Sequence, residues 1–135
     1  MKPIIVNNSR IPGWLSRVSP INIYAITLWP WIFCRERIED TPVTLRHEFV
    51  HWHQQRELWV LPFYAIYLLD YLRGLWKYRG QPHAKRLAYL NIRFEQEARA
   101  HQRTEEDYAS RRRFGWRRFP LWPYTAIHYH TPHSN

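Results

Sequence analysis

Two histidines and a glutamate stand in the spacing His-Glu-x-x-His, at His47, Glu48 and His51. On a helix, residues four positions apart project from the same face, one turn from each other. Two imidazoles placed in this way can bind one Zn²⁺ at ~2.0–2.1 Å each. Glu48 directly follows His47, so its carboxylate can reach a water on the ion without binding the ion itself. The spacing therefore predicts one zinc ion per chain, with Glu48 as the general base for a metal-activated water.

A tetrahedral zinc site needs a third ligand from the protein. Glu95 and Glu97 are the candidates, because both lie on a later predicted helix and the apolar segment before that helix can double back. The two glutamates are two positions apart, about 200° round a helix, so they cannot easily face the same ion. From spacing alone, either glutamate can complete the site.

The helix that must carry the motif has a start signal at residues 40–42. Thr41 is expected to cap the helix through its hydroxyl, and Pro42 suits the first helical position, where no amide donor is needed. This first helix should extend from Val43 to about Leu58. It is expected to hold the zinc ion together with the third helix.

Two further helices are predicted after the first. Pro62 marks a break or a kink, and a very apolar second helix should extend from there to about Tyr78. A connector at residues 80–82 leads into a third helix, from Pro82 to about Arg111. This helix is amphipathic, with apolar residues at helical spacing at Leu87, Leu90, Phe94 and Ala98.

The residues before Asp40 favour extended structure instead. Segments 4–6 and 21–34 are rich in β-branched and aromatic residues, which is typical of strands. Residues 7–9 and the pair Pro12-Gly13 indicate turns. Pro30 indicates an edge strand or a break between two short strands. We therefore predict a small β-hairpin or ribbon in this region.

These elements predict a mainly helical α+β fold, with a short N-terminal β-ribbon packed on about three helices. A length of 135 residues fits a single domain. We expect the ribbon in residues 1–40, the helical metal-binding core in 41–113, and an irregular basic and His-containing tail in 114–135. The single Cys34 excludes an intramolecular disulfide and a cysteine-based zinc cluster, and we expect it to be a small buried side chain.

The chain carries a formal charge of +9, from 20 Lys and Arg against 11 Asp and Glu. Such an excess favours anionic partners. Residues 111–119 interleave Arg with aromatics, which suits an anionic membrane surface. The composition also suits nucleic-acid backbones, but no nucleic-acid-binding fold signature accompanies it, so nucleic acid is not the expected partner. We expect this segment to form a separate surface, so that removing residues 111–118 leaves the zinc content unchanged.

The longest apolar run, residues 58–69, has 12 residues, which is short of the ~20 that span a bilayer. No secretory signal is evident near the N-terminus. We expect a cytoplasmic protein, with peripheral attachment to a membrane as the other option. The aromatic stretch 59–76 fits an interfacial membrane helix or the core of the domain, and we favour the core.

Two other metal-site patterns are present in part. Glu48 and His51 also form a Glu-x-x-His pair of the kind found in di-iron helix bundles, but the chain has no second such pair. His128, His130 and His133 could bind metal as a His-rich tract. Three histidines around a proline near a terminus more often belong to a flexible end, which is the reading we favour.

Four stretches resemble a family of small, uncharacterised bacterial proteins that are regarded as zinc metallopeptidases of the gluzincin type. The resemblance extends over most of residues 21–119. The stretches are 47–55 (His-Glu-x-x-His-x-x-Gln-Gln), 61–64 (Leu-Pro-Phe-Tyr), 88–98 (Ala-Tyr-x-Asn-Ile-x-Phe-Glu-x-Glu-Ala) and 26–33 (Ile-Thr-Leu-Trp-Pro-Trp-Ile-Phe).

The resemblance implies a minor gluzincin-like fold and a third zinc ligand at the first Glu of a Glu-x-x-Ala stretch. In this chain that residue is Glu95, which becomes the preferred ligand, with Glu97 as the alternative. Many gluzincins place an Asp directly after this stretch to support a His ligand, whereas this chain has Arg99. The groups that orient His47 and His51 are therefore open, although such partners are expected.

The leading expectation is a zinc metallopeptidase that acts on a peptide or protein substrate. Zinc would polarise the carbonyl, and Glu48 would act as general base and then as proton donor. By analogy with other zinc peptidases, an edge strand near residues 23–27 could pair with an extended substrate. The alternative is a zinc-stabilised binding module that docks on an anionic membrane or on nucleic acid without turnover.

Overall fold

The computed structural model describes residues 2–18 and 23–123. The fold is α+β and mainly helical, with a small three-stranded sheet near the N-terminus, which confirms the predicted class. The described residues form six α-helices, however, where three were predicted. In chain order the elements are β1 (Ile4–Val6), α1 (Ile11–Val18), β2 (Ala25–Leu28), β3 (Trp31–Cys34), α2 (Pro42–Leu58), α3 (Val60–Lys77), α4 (Ala84–Leu90), α5 (Arg93–Ala100) and α6 (Glu105–Ala109), with short 3-10 turns at Ile38–Asp40 and Gly115–Arg118.

The sheet has the strand order β1-β3-β2. β1 pairs with β3 in parallel and β2 pairs with β3 in antiparallel, so β2 is an edge strand. Pro30 lies in the turn between β2 and β3, where a break was predicted.

The turn predicted at Pro12-Gly13 is wrong, because both residues lie in the first turn of α1. A proline is tolerated there since its missing N–H would have no helical partner.

α2, the helix that carries the motif, begins at Pro42 as predicted. The predicted capping role of Thr41 is wrong, because its hydroxyl donates to the Ile38 carbonyl at 3.1 Å. α2 ends at Leu58, and α3 begins only two positions later, so Trp59 alone connects the two helices. The predicted break between the first two helices is present, but it lies at Trp59 and not at Pro62, which falls in the first turn of α3 and needs no donor there.

The predicted third helix is wrong in its extent, because residues 82–111 form three helices, α4, α5 and α6. The first break lies between α4 and α5, where the backbone N–H of Arg93 donates to the Asp70 carboxylate at 3.2 Å instead of continuing the helical ladder. The second break follows α5. There Thr104 starts a new helix by accepting a hydrogen bond from the Asp107 amide at 3.0 Å, which is a typical N-cap.

Buried apolar side chains form two clusters on opposite sides of α2. One cluster joins the sheet to α2 and contains Ile32, Ile38, Trp52 and Cys34, which is buried as expected. The other joins α3 and α5 to the C-terminal turn and contains Phe63, Ile92, Phe94 and Trp116. The motif helix therefore lies between the two clusters.

α3 is only partly in the core, so the expectation that residues 59–76 are core is wrong for one face of the helix. Phe63 is buried, but Leu61, Leu68, Leu72 and Trp76 are exposed. Among the described residues, no helix is long and apolar enough to cross a membrane.

Helices α3 and α4 pack closely at Gly74, whereas Gly13 in α1 has more space around it. Alanine substitutions at these two glycines should therefore affect stability differently. A Cβ on Gly74 would lie 2.8 Å from Ala88 Cα, whereas a Cβ on Gly13 would meet nothing closer than 3.6 Å. Gly74→Ala should lower the free energy of unfolding by about 1–3 kcal/mol through overpacking. Gly13→Ala should be neutral or stabilise by up to about 1 kcal/mol, because alanine favours helix. Chemical denaturation measures both, and equal effects would contradict the close crossing.

Candidate metal centre

Three side chains from two helices bring their ligand atoms together between α2 and α5. His47 Nε2 lies 3.1 Å from His51 Nε2 and 2.9 Å from Glu95 Oε2, and His51 Nε2 lies 3.2 Å from Glu95 Oε1. Ligand atoms held at ~2.0–2.1 Å from a tetrahedral ion are roughly 3.4 Å apart, so only a small shift is needed. Within residues 2–18 and 23–123, these side chains form the one group of His, Cys, Asp and Glu close enough to hold a metal ion.

Both imidazoles are oriented by glutamine side chains. His47 Nδ1 lies 2.7 Å from Gln102 Oε1, and His51 Nδ1 lies 2.8 Å from Gln54 Oε1. The Gln54 amide nitrogen donates to Glu97 at 2.9 Å, so its oxygen must face the ring of His51. An amide oxygen only accepts, so both Nδ1 atoms carry a hydrogen. Each Nε2 is therefore the nitrogen that faces the centre, and it can bind a metal once it carries no hydrogen.

These glutamines supply the orienting partners that the sequence had left open. Gln54 follows His51 by three positions and so shares its face of α2. Gln102 lies in the turn after α5, and the break in the predicted third helix brings it to His47. Arg99 stands at the position where the resemblance led us to expect an Asp, and its guanidinium donates to the Leu90 carbonyl.

The buried Glu95 carboxylate carries the negative charge of the site. Burial works to raise its pKa, but the two neighbouring imidazoles and their hydrogen bonds lower it well below the usual value, so Glu95 is ionised. Burial works to lower the pKa of His51, but the charges of Glu95 and Glu48 and the hydrogen bonds raise it to about 9. Tyr67 also donates its hydroxyl to Glu95 Oε1 at 2.8 Å. The donor set is therefore that of a cation site: two imidazoles and one carboxylate.

Glu97, the alternative third ligand, lies in a different hydrogen-bond network. Its Oε1 accepts from Gln54 at 2.9 Å and from Arg111 Nε at 3.1 Å, and the residue is fully buried. Its Oε2 lies against Gly115, where a Cβ would collide with it. Arg111 also binds Glu57 through both terminal nitrogens, at 3.1 and 2.7 Å. Glu97 therefore supports the centre through Gln54 and does not face it.

The expectation that residues 111–119 form a separate Arg-rich surface is wrong for Arg111. Its side chain is buried between two carboxylates, and Trp116 packs against Phe94 in the core. The arginines that remain exposed in this segment are Arg112, Arg113, Arg117 and Arg118. Removing residues 111–118 would take away Arg111, the partner of Glu97. The structure therefore does not support the expectation that this removal leaves the zinc content unchanged.

Glu48 is buried close to the three candidate ligands. Its Oε2 accepts a hydrogen bond from the Thr27 hydroxyl at 2.8 Å, which ties the motif helix to the edge strand β2. Burial raises the pKa of Glu48, against the opposing influence of His51, His47 and the Thr27 hydrogen bond. A raised pKa makes this carboxylate a better proton acceptor than an exposed glutamate.

One cavity of about 570 Å³ joins the ligands to Glu48. His47, His51, Glu95 and Glu48 all line it. Its remaining wall comes from β2, the residues before it, the inner face of α3, and Tyr89 and Ile92 at the end of α4 and just before α5. The wall is mainly apolar and includes Ile23, Tyr24, Ile26, Phe63, Tyr64, Tyr67, Leu68, Tyr71, Tyr89 and Ile92.

The His-rich tract of His128, His130 and His133 lies outside the described residues.

Three residues contact the site but were not among the predicted site residues: Thr27, Tyr67 and Gln102. Thr27 lies within the stretch 26–33 that carries the family resemblance, whereas Tyr67 and Gln102 lie outside all four stretches.

No family model, no curated protein and no solved structure matches the chain. The gluzincin resemblance therefore stays a prediction.

Ligand substitutions should separate the two glutamates. Protein prepared without chelator should contain close to one zinc per chain, and His47→Ala or His51→Ala should lose most of it, because each removes a ligand atom. Glu95→Gln should weaken zinc binding by at least about a hundredfold. Glu97→Gln should weaken it by about tenfold or less, since it acts only through Gln54. A competition titration measures the ranking, and the reverse order would make Glu97 the ligand.

The pH dependence of metal affinity should follow the proton on His51. With a pKa of about 9 in the metal-free site, His51 is an imidazolium at neutral pH. A metal ion must displace that proton, so affinity should rise by about tenfold per pH unit and level off above about 9. Calorimetry in buffers of different ionisation enthalpy should detect the released proton. A flat profile between neutral pH and 9 would contradict a protonated site.

Proposed function

We propose that the chain is a zinc-dependent hydrolase that cleaves a peptide bond. The observation that carries the proposal is that the three ligands and Glu48 line the same cavity. A structural zinc is enclosed by four protein ligands, whereas a catalytic zinc keeps one position for water or substrate. A centre of three protein ligands that faces a cavity fits the catalytic type.

Zinc suits this donor set because it binds imidazole and carboxylate in a tetrahedral arrangement. When bound, a zinc ion would supply a Lewis acid that polarises a carbonyl oxygen and favours ionisation of a water. His47, His51 and Glu95 would hold it, with the two imidazoles kept in the required tautomer by Gln102 and Gln54.

Glu48 is the residue that would move the proton. Thr27 donates to Oε2, which leaves Oε1 to take a proton from the water that attacks the carbonyl carbon. Glu48 would then give this proton to the amine nitrogen as the peptide bond breaks. Its burial and raised pKa suit both steps, because the same group must accept and then release a proton near neutral pH.

The edge strand β2 supports an extended peptide as the substrate. The Tyr24 carbonyl accepts from Arg35, so Tyr24 faces β3, whereas the Thr27 carbonyl accepts from Gln55 on α2 and so faces the opposite side. Backbone groups alternate along an antiparallel strand, so the N–H and C=O of Ala25 point to the free edge. These groups have no partner among the described residues and lie at the cavity wall. A substrate strand could pair with them.

The apolar wall of the cavity favours a substrate with apolar side chains. Aliphatic and aromatic residues from β2, α3 and the segment 89–92 surround the site, and the described lining contains no Lys, Arg or Asp. A charged substrate side chain would lose its hydration there without gaining a partner. We therefore propose cleavage beside an apolar residue.

The substitution Glu48→Gln tests the catalytic reading. It should lower the rate of hydrolysis of an apolar fluorogenic peptide by at least about a hundredfold, because the amide cannot take a proton. Zinc content should stay near that of the unmodified protein, since Glu48 is not a ligand. Thr27→Val is the matched test of positioning and should shift the acidic limb of the pH–rate profile. If zinc-loaded protein cleaves no peptide and Glu48→Gln changes nothing, a zinc-stabilised binding module is the better description.

A further inference from the structure

The outward face of α3 exposes an unusual number of large apolar side chains. Leu61, Leu68, Leu72 and Trp76 recur at helical spacing, and Leu69 lies next to them. Leu61 is 83% exposed and Trp76 is 65% exposed. Scattered apolar residues are normal on a protein surface, but a continuous apolar helix face marks a site of interaction. We call these residues, together with Trp59, the α3 face.

Trp59 marks the start of the α3 face. It connects α2 to α3 with a φ of 72°, which a bulky L-residue rarely adopts, and its side chain is 79% exposed. Strain of this kind persists only when the surrounding structure enforces it. Trp76 lies near the other end of α3, so an indole stands at each end of the face. Tryptophan is enriched at membrane–water interfaces because its ring is apolar and its N–H is polar.

The exposed charges of α3, of α4 and of the turn between them have one sign. Between residues 59 and 90 the cations are Arg73, Lys77, Arg79, Lys85 and Arg86, and all five are exposed. The only acidic residue in this segment is Asp70, which is buried and paired with Arg93 at 2.9 Å. The five carboxylates of Glu48, Glu57, Asp70, Glu95 and Glu97 are all used inside the fold.

We infer that the α3 face docks on the surface of an anionic lipid bilayer. Apolar side chains and indoles would enter the boundary between headgroups and acyl chains, and the five cations would face the lipid phosphates. Leu68 belongs both to the α3 face and to the wall of the cavity. The cavity would therefore open beside the lipid surface. This docking does not depend on the proposed hydrolysis.

Co-sedimentation of the full zinc-loaded chain with lipid vesicles tests the inference. Binding to phosphatidylcholine vesicles that contain phosphatidylglycerol should be clear at low salt and fall steeply as salt rises. Binding to pure phosphatidylcholine should be weaker. The double substitution Leu61→Glu/Leu72→Glu should lower the partition coefficient at least about tenfold, because it places carboxylates on the apolar face.

Two matched pairs of variants locate the surface. Trp76→Ala should weaken binding several-fold, whereas Trp14→Ala, which removes an indole of similar exposure on α1, should not. Arg73→Glu/Lys85→Glu should weaken binding at least about tenfold. Arg117→Glu/Arg118→Glu changes the net charge equally outside the α3 face and should have a smaller effect. Zinc content and circular dichroism should be unchanged in all variants.

Three results would overturn the inference. The first is no binding to anionic vesicles at low salt. The second is an equal or larger loss in Arg117→Glu/Arg118→Glu, which would assign the membrane contact to the C-terminal arginines. The third is a dimer in solution that the double substitution Leu61→Glu/Leu72→Glu dissociates, together with no binding to vesicles. A second copy of the chain would then cover the α3 face.

Discussion

A carboxylate held between two imidazoles in a protein interior is the constraint on which this structure depends. Removing such groups from water is costly unless each remaining hydrogen-bonding atom finds a partner. Here the partners are Gln102 for His47, Gln54 for His51 and Tyr67 for Glu95. The elements that carry these partners must therefore meet around α2. Helix α3, helix α5 and the turn after α5 are arranged so that they do.

The polar interior continues beyond the ligands as a chain of paired groups. Gln54 bonds to Glu97, Glu97 to Arg111, and Arg111 to Glu57, which returns to α2. The network closes a loop from α2 through α5 to the C-terminal segment and back. Breaking such a buried pair leaves an uncompensated charge, which costs about 3–5 kcal/mol. The C-terminal segment is thus part of the support of the centre, although no candidate ligand lies in it.

The sequence predicts the motif helix and the fold class because both depend on local patterns. The start at Pro42 and the His-Glu-x-x-His spacing can be recognised without tertiary information. The division of the third helix could not be predicted, since it depends on Asp70 capturing the Arg93 amide, a contact between distant segments. For the same reason the contact between His47 and Gln102 could not be predicted. The burial of Arg111 could not be predicted either, because its neighbours in sequence are exposed arginines.

The inward face of α2 has a consequence for how the chain acquires its structure. Glu48, His51, Gln54 and Gln55 are buried on this helix, so much of its inward surface is polar. Apolar burial alone cannot drive such a helix into the interior, and the partners of Gln54 lie 40 and 43 residues later in the chain. A chain emerging from the ribosome therefore cannot complete this helix's environment until Arg111 has been synthesised. Contacts of such long sequence separation slow folding, so maturation of the domain should be late and cooperative.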